Sequence, residues 1–519
     1  MTAQARGRLT PDARITLGLY LVTASIYALT QAGRLDTIDA QFKFDTTWSL
    51  LTHGDTLLRD PALQLVQHHP QPSYAPYGLA PSLAALPLVW LGRLLHPQTP
   101  ELAQFGFALT QAWLGALTIP LLFRIWRALG VERVTAVLAS LGVAFGSLLW
   151  QNASSSFDQA PQAALLLACV WKGRQALQRS APLDAATAGA LFGIIVHYQA
   201  AFVLLALPLT LALAWAARSG AWAERLRLSA AFAAGAAPFV ALQLAYNAYR
   251  FGSPFQLSAA SAGIPLFDSP LRGAAVLLLS PGKSLFLFSP IVVLALLGAR
   301  GLRKADRDLF ALAAVASLSH LLLVSSLSFP AGDWCWGPRY LVLSVPLLCL
   351  ALPWSNALGR WGGGLLAAAS VAVQILGLTR DHQRFFFERS LAPHFWLHNQ
   401  RIYFEDSQLF ARFGELWSSG PEQFARFSSA PSPLVTYAPF GPAPSVDGAE
   451  WVKQFAVFYW PRPWPLWMAR LPEHLRLFDP LPFAWLLLTL ALAGAALILR
   501  GLRRGCALSG SFSEPAARS

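Results

Sequence analysis

The stretch GLAPSLAALPLVWLGRLL, residues 78–95, decides how the rest of the chain is laid out. It is apolar over about the length a bilayer demands, so it either crosses a membrane or lies against one. The basic residues around it discriminate between the two. Place the N-terminus on the cytoplasmic side and let 78–95 cross. Then Arg124/Arg127/Arg133, Lys172/Arg174/Arg179, Arg218/Arg225/Arg227, Arg300/Arg303/Lys304/Arg307, Arg360 and Arg500/Arg503/Arg504 all fall outside. That inverts the positive-inside bias at every loop. If 78–95 does not cross, every cluster falls inside together with Arg6, Arg8 and Arg14. Pro81 and Pro87 also suit a helix that lies along the outer face or dips into it. A juxtamembrane helix is therefore expected there.

The other apolar runs lie near 15–33, 103–123, 134–150, 160–171, 185–197, 199–217, 228–246, 284–299, 309–328, 340–354, 362–378 and 481–499. Read as spans, they predict an all-α polytopic membrane protein, a bundle of about twelve transmembrane helices with both termini cytoplasmic. Composition agrees. The 519 residues are 55% hydrophobic and only 13% charged, with mean hydropathy +0.45, against roughly 25% charge in a soluble domain. This excludes a disordered chain, a coiled coil and an ordinary cytosolic enzyme. Continuous rather than alternating apolar runs argue against an outer-membrane barrel. The net charge of +13 sits mostly in the short loops, so it reads as topology and not as a nucleic-acid surface. Of the four cysteines, Cys335 and Cys349 could pair, but nothing requires it and no metal spacing is present. The N-terminal run is long and lacks a small-residue cleavage site, so it reads as an uncleaved first span.

The outer side then receives four pieces, at 34–100, 151–158, 250–283 and 380–480. The organisation expected is a membrane core over 1–379 that carries the outer loop 34–100, an aromatic-rich outer segment over 380–480, and a last helix with a cytoplasmic tail over 481–519. The aromatics from Trp451 to Trp467 suit a membrane interface.

Chemistry-bearing residues gather in these outer pieces. Asp39 follows the first span, in Leu35-Asp36-Thr37-Ile38-Asp39-Ala40. A partly desolvated carboxylate there can serve as a general base, or it can simply cap a helix. Asp158 closes the loop QNASSSFD (151–158) and carries the same two readings. Tyr77 lies in SYAPYGLAPSL (73–83), a sequence suited to a tight interfacial turn. Arg250, Lys283 and Arg339 lie in YNAYRFG (246–252), SPGKSLF (280–286) and GDWCWGPRY (332–340). They are either anchors at the headgroups or, beside their Gly/Pro turns, holders of a phosphate. His197 sits in the turn between two runs and reads as structural or ligand-binding. His53, His68 and His69 do not match metal-ligand spacing.

An aspartate beyond the first span, fifteen residues before a glycine as Asp39 is before Gly54, resembles the GT-C superfamily of polyprenyl-phosphate-sugar glycosyltransferases. Protein O-mannosyltransferases and the lipid A aminoarabinose transferases belong to it. The likeness is nearer to a bacterial group of GT-C-like membrane proteins. Their ordered blocks are similar to Tyr77–Leu83, Tyr246–Gly252, Ser280–Phe286 and Gly337–Tyr340 here. The chain departs from them at Pro81-Ser82, at Ser284 where glycine is common, and at His197 where a cation is frequent.

The resemblance implies a juxtamembrane helix in the first outer loop, as the charges do. It implies a bacterial inner-membrane enzyme working at the outer face, with a polyprenyl-phosphate-linked sugar as donor and a hydroxyl on a glycan, lipid or protein as acceptor. Asp39 would take the acceptor's proton in a single inverting displacement. Arg339, supported by Lys283 and Arg250, would hold the donor phosphate. Tyr77, Tyr246, Asn247 and His197 would line the substrate, and Asp158 would be a second acid that orients the acceptor or binds a divalent cation. Nothing in the sequence requires that cation. A lipid or glycan transporter and a non-catalytic scaffold remain the alternatives, although the runs carry little of the intramembrane charge a transporter needs.

Overall fold

The computed structural model describes residues 9–31, 35–59, 74–97, 100–216, 221–256, 267–332, 334–356, 358–379, 385, 403–419 and 480–509. Among them the architecture is helical, and the only β pairings are two isolated bridges, Leu57 with Tyr74 and Phe267 with Leu327. In chain order the helices are α1 (Pro11–Leu29), α2 (Ile38–His53), α3 (Ala80–Leu95), α4 (Glu101–Ala116), α5 (Thr118–Ala128), α6 (Arg133–Gly146) and α7 (Leu148–Ala153). They continue as α8 (Gln159–Arg179), α9 (Pro182–Tyr198), α10 (Ala206–Ala216), α11 (Trp222–Phe251), α12 (Pro270–Leu279), α13 (Leu285–Phe288), α14 (Ile291–Leu297) and α15 (Ala299–Ala305). The set closes with α16 (Arg307–Ser325), α17 (Val345–Cys349), α18 (Gly359–Leu378), α19 (Gln408–Ser419) and α20 (Pro480–Ser509).

Five described helices are long and apolar enough to cross a membrane: 101–128, 222–251, 307–325, 361–378 and 482–503. The decisive stretch 78–95 forms α3, with Pro87 inside it. Three expected spans differ: the run 134–150 is broken between α6 and α7 at the extended Ser147, and two others are broken at prolines. The run 284–299 is broken into α13, α14 and α15, and the run 340–354 into two 3-10 turns around the short α17. In the latter two runs proline contributes to the breaks. Pro290, Pro346 and Pro353 each remove a backbone donor, and each ring clashes with the preceding turn. Of the segment 380–480, only Phe385 and residues 403–419 are described, so the aromatic stretch from Trp451 to Trp467 lies outside the described residues, as do His68, His69 and Asp333. The part that is described docks on the core. Tyr403 accepts from the Gly282 amide at 3.0 Å, and Ser407 donates to the Pro281 carbonyl at 2.7 Å.

Small residues let helices approach closely. An added Cβ on Gly189 of α9 would stand 1.9 Å from the Phe232 carbonyl oxygen of α11, and one on Gly235 would stand 1.9 Å from that of Ala186. Gly18 of α1 and Gly494 of α20 meet in the same way. Such backbone approach is how helices gain packing where no hydrophobic drive separates lipid from protein. Gly189→Val is expected to lower the melting temperature of the purified protein by several degrees, corresponding to an overpacking cost of about 1–3 kcal/mol. An unchanged melting curve would contradict this packing.

Two ends of the bundle are chemically distinct. Asp12 opens α1 and pairs with Arg127 (3.1 Å) and Arg133 (2.6 Å). Near the close of α8, Arg174 pairs with Asp306 at 2.7 Å and Lys172 with Asp184 at 2.9 Å. The opposite ends of the same two helices carry no such arginine pairs among the described residues, and the ion pair held there is the buried Lys43–Asp158 pair at 2.8 Å. There Thr30 meets Ser154 at 2.7 Å, and Asp158 precedes α8. The basic clusters therefore share one end of α1 and α8, about 30 Å from the other, as the charge argument requires.

Candidate functional site

The site grows from the start of α2. Thr37 is its N-cap and accepts from the Ala40 amide at 3.1 Å. The capping role is thus filled, and Asp39 in the first turn is free to point elsewhere. The helix stops at Gly54 in the left-handed conformation (φ 74°), which a residue without a Cβ adopts at no steric cost. The preceding segment is tied to the loop 151–158. Asp36 accepts from the Ser156 amide at 2.8 Å and from its hydroxyl, and the Asp36 amide donates back to Ser156 Oγ at 3.1 Å. This clasp sets the Asp39 helix against the segment that carries Asp158.

Asp39 and Arg339, three hundred positions apart, meet directly. Arg339 Nη1 donates to Asp39 Oδ2 at 3.1 Å, and the Tyr77 hydroxyl donates to Asp39 Oδ1 at 2.7 Å. The Arg339 side chain is only 7% exposed, while Asp39 keeps 24% of its own surface open. The guanidinium stacks on Phe157 at 4.0 Å and lies 5.1 Å from the Tyr340 ring centroid. Its Nε has no hydrogen-bond partner among the described residues despite burial. Gly332, at φ +77°, passes close beneath it, where an added Cβ would stand 2.7 Å from that nitrogen.

Beside this pair stands a second one. Lys43 Nζ donates to Asp158 Oδ2 at 2.8 Å and lies 4.4 Å from the centroid of the Tyr77 ring. Asp158 therefore does not cap α8, although it occupies the cap position. Burial alone would push the Asp39 carboxyl up. The charges of Arg339 and Lys43, with the hydrogen bonds from Tyr77 and Arg339, outweigh it and hold Asp39 below the usual carboxylate range. Burial first, then the Asp39 charge, push the Tyr77 phenol well above its ordinary value, so it stays a donor.

The three cations grouped by sequence are parted. Arg250 is spent on the turn that presents Tyr77. It donates to the carbonyl oxygens of Ala75 and Tyr77 (2.6 Å for the latter) and to Asn247 Oδ1 at 2.8 Å, and it stacks on Tyr246 at 3.9 Å. Lys283 is fully buried. It donates to the carbonyl oxygens of Cys335 (2.6 Å) and Gly337 (3.1 Å), so it holds the loop that presents Arg339. Both cations are engaged with backbone carbonyls in the free protein and stand apart from the Asp39–Arg339 pair that they were expected to join around a phosphate. Tyr246 and Asn247 join Arg250 in this support. His197 packs its carbonyl against the Tyr77-Gly78 turn, its ring edge-on to Phe239, and its Nε2 lacks a hydrogen-bond partner among the described residues. Cys335 and Cys349 are not joined in a disulfide. Lys43, Asp36 and Phe157 were missed by the sequence reading. For Lys43 a signal existed, since it stands four residues after Asp39 on one helix face.

These groups do not fit a divalent cation. Both oxygens of Asp39 are taken by Tyr77 and Arg339, and the Asp158 carboxylate faces an ammonium. Among the described residues no three of His, Cys, Asp and Glu gather as a ligand set.

The depressed Asp39 has a pH consequence. In the free protein it stays ionised to lower pH than an ordinary aspartate, so the acid limb of any activity it drives as a base is displaced downward. Arg339→Gln removes the leading charge that opposes burial, so the Asp39 pKa rises. The acid limb of kcat/KM is then expected to move toward neutrality. A limb that stays in place would show that Asp39 is not the titrating group.

No family model and no curated protein matches this sequence. Solved structures are similar in part. Crystalline ArnT from Cupriavidus metallidurans bound to undecaprenyl phosphate aligns over 75% of this chain and 71% of its own, at 14% identity and TM-score 0.46. Its apo form aligns over 92% and 75%, at 16% identity and TM-score 0.43. The apo oligosaccharyltransferase of Archaeoglobus fulgidus aligns over 74% of this chain and 59% of its own, at 13% identity and TM-score 0.42.

Proposed function

We propose that the chain is an inverting, GT-C-type glycosyltransferase of the bacterial inner membrane, moving a sugar from a polyprenyl-phosphate carrier to an acceptor hydroxyl at the outer face. The membrane is crossed many times, with both termini cytoplasmic. The observation that carries this reading is the Asp39–Arg339 pair, a carboxylate and a buried guanidinium held in register by Tyr77. A base that accepts a hydroxyl proton and a cation that neutralises a leaving phosphate are the two groups such a transfer needs.

The acceptor oxygen attacks the anomeric carbon and its proton passes to Asp39. The bond from that carbon to the phosphate oxygen breaks, and its electron pair leaves with the phosphate. A phosphate is a good enough leaving group to need no general acid. In the free protein Arg339 occupies Asp39 Oδ2. A donor phosphate that draws Arg339 away frees this oxygen for the acceptor and restores basicity to the carboxylate, while Tyr77 keeps Oδ1 fixed. Donor binding thereby prepares the base. Lys283 and Arg250 act as positioning residues through the loops they hold.

The test is a deletion strain analysed for envelope glycans and lipids, complemented by wild type and by Asp39→Asn. Loss of one glycosylated product, restored by wild type alone, is expected. Full restoration by the Asn variant would overturn the reading. A narrower test addresses Arg250. Arg250→Lys cannot span its four acceptors, so kcat is expected to fall about tenfold with affinity for undecaprenyl phosphate unchanged. A loss confined to that affinity would instead return Arg250 to the phosphate.

A further inference from the structure

Lys43 is a buried cation that this mechanism leaves unused. It stands one turn beyond the base, with its side chain 7% exposed. An ammonium has three N–H donors. One is spent on Asp158 Oδ2, and the charge lies against the π face of Tyr77. Donor capacity therefore remains where little water reaches. The same holds for its neighbour, Arg339, whose Nε is buried without a partner among the described residues. The two are linked through Asp39 and Tyr77, since Tyr77 bonds Asp39 through its hydroxyl and faces Lys43 with its ring. Two cations with donors to spare suit one anion that brings several oxygens.

We propose that Lys43 is the second cation of the phosphate site, beside Arg339, and that Asp158 is its counterion and neither a catalytic acid nor an acceptor-binding group. The inference rests on the reading of the site as a polyprenyl-phosphate pocket. The charge flow of the reaction favours it. Before transfer the phosphodiester and Asp39 each carry one negative charge. Afterwards Asp39 is protonated and the released phosphomonoester carries two. Negative charge moves from base to leaving group, and a cation adjacent to both stabilises the transition state along the whole path. Asp158 keeps the ammonium charged and aimed in the absence of donor, since an unpaired buried cation is costly.

The test compares the affinity of the purified full-length protein in nanodiscs for undecaprenyl phosphate and for undecaprenol, which differ only in the phosphate. Wild type is expected to prefer the phosphate. Lys43→Gln is expected to reduce that preference about tenfold with affinity for the alcohol unchanged, and Lys43→Arg to restore most of it. Asp158→Asn is expected to keep or raise the preference. A merely structural ion pair would instead give equal losses for both ligands in Lys43→Gln and in Asp158→Asn, which would overturn the proposal. Should Lys43→Gln fail to fold, the double variant Lys43→Gln/Asp158→Asn leaves no charge unpaired, and it is expected to lose the preference as well. Its retention there would equally overturn the proposal. Arg339→Gln serves as the control. A preference that responds to Arg339 but not to Lys43 sinks this inference alone, whereas a preference that responds to neither sinks the phosphate pocket and the proposed function with it.

Discussion

Asp39→Asn is expected to reduce turnover by about 10²–10⁴-fold, the range a positioned general base contributes. The substitution is nearly isosteric. Its carbonyl oxygen can still accept from Arg339, and the Tyr77 hydroxyl can rotate to accept from the new amide, so the local geometry has a way to persist. What is lost is the basic oxygen. Folding and membrane insertion should be untouched, and the melting curve of the purified variant checks this. A loss of activity without a loss of stability separates the base from a structural carboxylate. Turnover near that of wild type would remove Asp39 from the chemistry.

Arg339→Ala is expected to weaken binding of the donor's phosphate by about 10–100-fold, as for a lost charge-assisted hydrogen bond. Turnover of bound donor should fall further, because the leaving phosphate then departs without its nearest guanidinium. The variant also disturbs the base. Asp39 would keep only the Tyr77 bond, and burial would favour its protonated form. Arg339→Lys should recover part of the charge but not the planar fork or the stack on Phe157. Equilibrium binding of undecaprenyl phosphate reads the first effect and single-turnover transfer reads the second. Unchanged affinity in Arg339→Ala would take the guanidinium out of the phosphate site.

Much of the fold was legible in hydropathy, because long apolar runs leave the backbone few options besides a helix. The stretch 78–95 appears as α3 within a residue or two, and the basic clusters do share one end of α1 and α8. The breaks at 284–299 and 340–354 escaped the reading. A hydropathy window averages over Pro290 and Pro346, whose effect is local and geometric. The Asp39–Arg339 meeting could be suspected from residue type and side of the membrane. Its geometry could not, because the clasp of Asp36 on Ser156 and the Thr37 cap that set it depend on tertiary contact. The same limit explains Arg250 and Lys283. A cation beside a Gly/Pro turn looks alike in sequence whether its partner is a phosphate or a carbonyl, and here the turns themselves supplied the acceptors. Lys43 was passed over because a lone lysine on a polar helix reads as solvated, and only the fold buries it against Asp158.

One measurement bears most directly on the central claim, an electron cryomicroscopy structure of the purified protein in nanodiscs with undecaprenyl phosphate. The account predicts phosphate density within hydrogen-bond distance of the Arg339 guanidinium, with Asp39 Oδ2 released and Tyr77 still on Oδ1. A phosphate bound elsewhere, with Arg339 unmoved on Asp39, would contradict it.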